Sequence, residues 1–309
     1  MKAERTLIAP LHWGLGHAAR CIPIIYNEMQ AGNVVYIAAT GGQKALLQEH
    51  FPAATFVEIP FMEITYPKDG NMVRHFTLTG PRLLHSIWRE HGVLKTLIQK
   101  HQITKAISDS RFGLWNQSVK SIFITHQVEI QSPIFQGIIN MLNRWIMSKY
   151  DEVWIPDYEA IPGLAGKLSH PKKLPANANY IGPLSRFKKP NQKVVNTNWD
   201  AVALISGPEP QRTLFEAEIT RMFIESGKKV LILKGQPNLA ENTVFENISA
   251  VNHLKDEELV KALLGAKKIY TRSGYSTIMD LNALGLTATY FPTPGQTEQE
   301  YLAELHQNK

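Results

Sequence analysis

Cysteine is nearly absent: among 309 residues there is one, Cys21. A single thiol forms no internal disulfide and no cysteine zinc cluster, and it fits a reducing compartment. Long apolar runs are missing too. No stretch reaches the roughly 18 uncharged apolar residues of a membrane span. The nearest, Ser132 to Met147, is broken by Asn140, Asn143 and Arg144. The first residues, Met1-Lys2-Ala3-Glu4-Arg5, lead into a short strand rather than a secretory signal. No fixed-period repeat and no low-complexity tract occurs. The D-x-D metal motif is absent, with Asp157-Tyr158-Glu159 the nearest approach.

The composition is that of a folded protein, 44% hydrophobic and 19% charged. At about 100–200 residues per domain, the length suggests two domains. Net charge is +6, unevenly spread. Residues 1–184 carry 18 Lys and Arg against 13 Asp and Glu; residues 185–309 carry 15 against 14. The basic first part also holds nine of eleven histidines. This points to an anionic partner, or simply to a basic surface. Nucleic acid is a poor candidate because no recognisable binding module accompanies the charge.

Short apolar runs alternate with amphipathic ones. Strands are expected at Thr6–Pro10, Val34–Ala39, Thr55–Ile59, Lys105–Ser108, Ser121–Thr125 and Glu152–Ile155. Helices are expected at Ala18–Ala31, Gln43–His50, Pro81–His101 and Ile134–Lys149. Leu168–Lys193, with four prolines and five lysines, reads as a linker, placing the boundary near Leu184. The rhythm resumes with strands at Ala201–Ser206, Val230–Leu233, Lys268–Thr271 and Thr287–Phe291. The helices there are Gln211–Ser226, Asp256–Gly265, Thr277–Leu284 and Gln296–His306. Alternation of this kind predicts parallel βαβ units: an α/β chain of two doubly wound, Rossmann-like domains facing across a cleft, residues 1–184 and 185–309. Ligands bind such sheets at the carboxyl ends of the strands.

Two segments fall at such ends. The first strand runs into Gly14-Leu15-Gly16-His17-Ala18-Ala19, which fits a dinucleotide fingerprint formally. The acid that should follow the second strand is missing, where Ala38-Ala39-Thr40-Gly41 stands, and this argues against NAD. His17, at a helix start, is a candidate base, and it also fits a plain packing or capping role. Asp109, just after a strand, is a second candidate base or a loop acid. His126 reads as an orienting or acceptor-contacting residue, or a satisfied buried histidine. The second segment, Arg272-Ser273-Gly274-Tyr275-Ser276-Thr277, reads as a turn into a helix whose free amides favour an anion. Asp280, four residues after Ser276, lies near the same mouth and suits ribose hydroxyls. Glu298 and Gln299 follow the next strand and suit sugar hydroxyls.

Together these segments resemble the GT-B nucleotide-sugar glycosyltransferases. They are most similar to the bacterial undecaprenyl-diphospho-muramoylpentapeptide N-acetylglucosaminyltransferase family. The carrying residues are Trp13–Arg20, Thr125-His126-Gln127, Ser206–Thr213, Arg272–Thr277 with Asp280, and Glu298-Gln299. The resemblance implies transfer of an N-acetylglucosamine-type hexosyl group from a UDP-sugar to an acceptor hydroxyl. Transfer would be inverting, without a metal and with no cofactor beyond the UDP-sugar. It implies His17 and Asp109 at the reacting centre. Arg212, Ser273, Gly274, Ser276, Thr277, Asp280, Glu298 and Gln299 would hold the donor. Gly14, Gly16, His126 and Gln127 would meet the acceptor. It further implies a bacterial cell-envelope role, cytoplasmic or peripheral on the inner membrane face, with a lipid-linked acceptor.

Some residues depart from the family. Asp280 stands where glutamate is usual. Ser206–Thr213 carries prolines where the lipid-linked enzyme has glycines, pointing to another substrate. The family's C-terminal domain usually ends in a helix crossing back to the first domain, and this sequence stops at Lys309. A UDP-sugar epimerase of the same fold, or a non-catalytic sugar-nucleotide-binding subunit, stays open. The helices at Pro81–His101 and Ile134–Lys149 mix aromatic and basic residues. They suit an anionic bilayer, although packing on the core is the simpler account.

Overall fold

The computed structural model describes residues 3–61, 72–189, 199–239 and 243–307. The chain divides into two compact units, with the main division between Leu184 and Ser185.

In the first unit, β1 (Arg5–Pro10), α1 (Leu15–Gln30), β2 (Val34–Ala38), α2 (Gly41–His50) and β3 (Thr55–Val57) build outward in one direction. The chain returns through α3 (Met72–His101) to β4 (Lys105–Asp109). It then builds the other way through β5 (Lys120–Ile124), α4 (Gln136–Met147), β6 (Glu152–Ile155) and β7 (Ala178–Tyr180). The seven strands are all parallel, in the order β3-β2-β1-β4-β5-β6-β7. Strand order therefore reverses between β1 and β4, whose ends meet where Pro10 pairs with Asp109. That reversal point is where an open parallel sheet offers a crevice for ligands.

The second unit contains β8 (Ala201–Leu204), α5 (Gln211–Ile224), β9 (Val230–Leu233), β10 (Thr243–Phe245), β11 (Ile248–Val251), α6 (Asp256–Leu264), β12 (Ile269–Thr271), α7 (Tyr275–Leu284), β13 (Thr289–Tyr290) and α8 (Thr297–Gln307). Its six strands run β10-β11-β9-β8-β12-β13, parallel except for the β10–β11 hairpin. Here the reversal lies between β8 and β12, and α7 begins just past it.

Both sheets are covered on both faces, so their central strands are almost wholly apolar. Leu7, Ile8, Ile107 and Phe123 are buried in the first, Val202, Ala203 and Ile232 in the second.

Most expected elements are present within a few residues. The linker reading of Leu168–Lys193 is corrected: it contains β7, whose Ala178 pairs with Val153 at the sheet edge. Three strand residues between Pro175 and Pro183 are too few to show an alternating pattern. Helix α3 begins at Met72, so Pro81 lies inside it rather than at its start. The β10–β11 hairpin was unexpected because all three residues of β10 are exposed.

Helix α4 also corrects an expectation, because its amphipathicity is inverted. The residues it buries are Asn140, Asn143 and Met147, while Ile138, Met141, Leu142 and Trp145 are at least half exposed. The asparagines serve the preceding loop. Asn140 Oδ1 accepts from Ile130 N at 2.7 Å, and its amide donates to Ile130 O at 3.0 Å. Asn143 donates to the carbonyls of Gln127 and Val128 at 3.0 and 3.2 Å. The polar face turned inward thus satisfies loop backbone that burial would otherwise leave unpaired.

Candidate functional site

The turn after β1 is Leu11–Gly14, with Gly14 at φ +96°, a conformation open to glycine and costly for other residues. It feeds α1, whose first turns present His17, Arg20 and Cys21 towards the end of β4. Residues three and four apart share a helix face, so all three reach Asp109.

Asp109 is fully buried and surrounded by donors. Arg20 Nε lies 2.9 Å from Oδ1 and 3.0 Å from Oδ2, and Arg20 Nη2 also donates to Oδ1. His17 Nδ1 is 2.9 Å from Oδ2, and Cys21 Sγ is 3.8 Å from it. Arg20 extends further, with Nη2 3.1 Å from Ser110 Oγ and Nη1 3.4 Å from His126 Nδ1. Helix α1 and the ends of β4 and β5 are thus tied together through one buried guanidinium.

Electrostatics separates the roles of the two candidate bases. Burial would raise the Asp109 carboxyl, but Arg20 and His17 outweigh it and hold it down at about 2. So tightly held a carboxylate is a poor proton acceptor at neutral pH. His17 is lowered from its ordinary value, first by burial and then by the Arg20 charge, against the opposing pull of Asp109. It is therefore neutral at pH 7. His17 Nδ1 faces both the Asp109 carboxylate at 2.9 Å, which only accepts, and Arg20 Nη2 at 3.0 Å, which only donates; the tautomer with its proton on Nδ1 answers the carboxylate and leaves Nε2 a lone pair. The side chain of His17 is 19% exposed, against none for Asp109. Arg20, within the resembling motif but not singled out from sequence, completes the group. Its signal was its place one turn after His17.

In the second unit, β12 ends at Thr271 and Gly274 caps α7. The first amides of a helix have no intrahelical acceptor, so the amides of Ser276 and Thr277 face outward at a positive helix end. Both residues are half-buried. Ser273 is fully buried and its hydroxyl donates to Gln299 O at 2.6 Å. The Gln299 side chain accepts from Thr293 N at 2.9 Å. Ser273 and Gln299 thus brace the start of α7 against the start of α8, which carries half-buried Glu298. Asp280 Oδ1 accepts from Ser185 Oγ at 2.6 Å. Burial raises the Asp280 carboxyl to about 6, against the pull of Arg186 and Ser185.

Arg212 and Arg272, in two of the segments that carry the resemblance, are engaged internally. Arg212 bridges Glu209 at 2.7 Å and Glu216 at 3.0 Å. Arg272 donates to the carbonyls of Phe291, Pro292 and Gln211 and lies 4.3 Å over the Phe215 ring. Gly14 and Gly16 flank the start of α1, and Gln127 follows His126 in the loop held by Asn143.

Comparison with known structures decides the architecture. A spinosyn rhamnosyltransferase complexed with thymidine diphosphate superposes with a TM-score of 0.62 at 13% identity, over 96% of this chain and 83% of the other. The calicheamicin glycosyltransferase CalG4 gives 0.63 at 9% identity, over 99% and 84%. The glycosyltransferase SnogD from Streptomyces nogalater gives 0.60 at 14%, over 98% and 85%. The fold is GT-B. Sequence relatives agree. A protein of Methanosarcina acetivorans described as an uncharacterized glycosyltransferase is 24% identical over 93% of this chain and 79% of its own. One from Methanosarcina mazei with the same description is 23% identical over the same shares. These relatives are archaeal, whereas the family the sequence resembles is bacterial. No protein-family model matches the chain. Among the described residues, no helix is long and apolar enough to cross a membrane.

Proposed function

We propose that this protein transfers a hexosyl group from a nucleoside diphosphate sugar to an acceptor hydroxyl, with inversion at the anomeric carbon. The observation that carries the reading is the buried Arg20–Asp109–His17 arrangement at the reversal point of the first sheet. It leaves a neutral imidazole as the group able to take a proton. In the reaction, the acceptor oxygen attacks the anomeric carbon. The bond from that carbon to the diphosphate oxygen breaks, and its electron pair leaves with the diphosphate. The acceptor proton passes to His17 Nε2. Asp109 holds the ring and favours the imidazolium that forms, while Arg20 keeps the carboxylate ionised.

The leaving diphosphate gains charge, which the amides of Ser276 and Thr277 at the start of α7 would meet without an obligatory metal. Asp280 would take the ribose hydroxyls and Glu298 the sugar. Ser273 and Gln299 position that shell rather than touch the ligand. Gly14, Gly16, His126 and Gln127 would line the acceptor side. UDP is the expected nucleotide and N-acetylglucosamine the expected sugar, from the sequence resemblance. The thymidine diphosphate bound to the rhamnosyltransferase relative makes TDP-sugars the second class to try.

The test is a panel of UDP- and TDP-sugars, each incubated with and without candidate acceptors, with product stereochemistry read by NMR. Acceptor-dependent release of nucleoside diphosphate with an inverted glycoside supports the proposal. Isomerised sugar nucleotide without acceptor means an epimerase. Binding with no turnover on any acceptor means a non-catalytic binder.

A further inference from the structure

We propose that the nucleoside site of the second unit reads a single sugar hydroxyl, the 3′, and so takes 2′-deoxyribonucleoside diphosphate sugars as readily as their ribose counterparts. This rests on the proposed assignment of Asp280 to the ribose and narrows it to one contact. Asp280 lies one turn after Ser276 on α7, so its carboxylate shares the face of the helix start. A carboxylate grips two neighbouring hydroxyls by offering one oxygen to each. Here one oxygen is taken, because Ser185 Oγ donates to Asp280 Oδ1 at 2.6 Å. Oδ2 is left for the ligand.

The Ser185 hydroxyl is held in place from several sides. Phe187 N donates to its oxygen at 3.0 Å, which turns its one hydrogen towards Asp280. The Phe187 side chain is buried, and the Arg186 guanidinium lies 4.8 Å from the centre of its ring. Arg186 Nε is 3.2 Å from Asp256 Oδ1 at the start of α6. The segment Ser185–Phe187 is thus pinned to α6 and α7 together. A ligand hydroxyl gains little by displacing a hydroxyl already bonded to the same carboxylate, since one such bond replaces another.

The donor class follows from that geometry. Ribose offers a 2′- and a 3′-hydroxyl, whereas 2′-deoxyribose keeps the 3′ alone. With one carboxylate oxygen to meet, the 3′-hydroxyl common to both series makes the contact. A hydroxyl bonded to a charged acceptor contributes about 10–100-fold in affinity. The 2′-hydroxyl, left in water, contributes almost nothing. Ser185 is therefore a positioning residue that sets nucleoside selectivity through Asp280.

Calorimetry at pH 8, above the Asp280 carboxyl at about 6, tests this with UDP, 2′-deoxy-UDP and 3′-deoxy-UDP, and with the same series on thymine. In wild type the ribose and 2′-deoxy forms should bind within about three-fold of each other, and the 3′-deoxy form about 10–100-fold more weakly. Ser185→Ala frees Oδ1 for the second hydroxyl, so 2′-deoxy-UDP should then fall about ten-fold behind UDP. Ser185→Thr keeps the hydroxyl and should keep the wild-type ratio. Each ratio compares two nucleotides on one variant, so a general loss of stability does not move it. Asp280→Asn should weaken UDP and 2′-deoxy-UDP alike. A larger wild-type gap between those two, with Asp280→Asn still weakening UDP, overturns the inference and leaves the assignment of Asp280 standing. Equal binding of the two by Ser185→Ala overturns the inference as well. Affinities untouched by Asp280→Asn, or no binding of any of these nucleotides, overturn the assignment and the inference together.

Discussion

Replacing Asp109 with asparagine separates what the carboxylate does for catalysis from what it does for folding. The shape is kept and the charge is lost. Arg20, only 2% exposed, then loses its ion pair with Asp109. Breaking a buried pair by removing one partner costs about 3–5 kcal/mol. The lower end applies here, because the amide oxygen still accepts from the guanidinium and Ser110 remains within reach. The acidity points the same way: a carboxyl held at about 2 instead of 3.8 contributes on the order of 2–3 kcal/mol at neutral pH. The folded value lies below the unfolded one, so this stabilisation is present above about pH 4 and fades as pH falls through about 2. Catalysis should suffer more. An amide facing Nδ1 can donate to it, which moves the ring proton to Nε2 and removes the base. The expected loss in kcat is about 10²–10⁴-fold, with donor affinity unchanged. Urea unfolding gives the first quantity; transfer kinetics below the unfolding temperature, with donor titration, give the second. A kcat within a few-fold of wild type would refute the claim that His17 works through Asp109.

Other outcomes follow from the same geometry. The acid limb of kcat/KM against pH should fall below 6.5, since His17 is lowered and must be neutral to act; Arg20→Gln, which removes a lowering charge, should move that limb upward. Affinity for a nucleoside diphosphate, measured by calorimetry, should weaken as pH drops through about 6, where Asp280 takes up its proton, and Asp280→Asn should flatten that dependence. Arg272→Met strips donors from the carbonyls of Phe291, Pro292 and Gln211 and should lower unfolding stability by about 3 kcal/mol.

The alternation of apolar runs made both parallel sheets legible, because strands buried on two faces are nearly all apolar. Elements with little burial left no such trace, which hid exposed β10 and three-residue β7. His17 and Asp109 were legible as residues at strand ends, but which of them could act as a base was not. That depends on Arg20 reaching across from α1, a contact between residues 89 positions apart. Ser273, Gln299 and Arg272 looked like ligand residues because they sit in the right loops. Their internal hydrogen bonds join residues far apart in the chain, and such pairings have no local sequence pattern. Helix α4 carried a helical pattern of apolar residues that sequence reading assigns inward by default. Only the asparagine contacts reveal which side faces the core.

The central claim is that His17 takes the acceptor proton during sugar transfer. Donor binding and sugar transfer measured side by side in wild type and His17→Ala test it most directly. Donor affinity should be unchanged and the transfer rate lower by about 10²–10⁴-fold. Transfer by His17→Ala at close to the wild-type rate would contradict it.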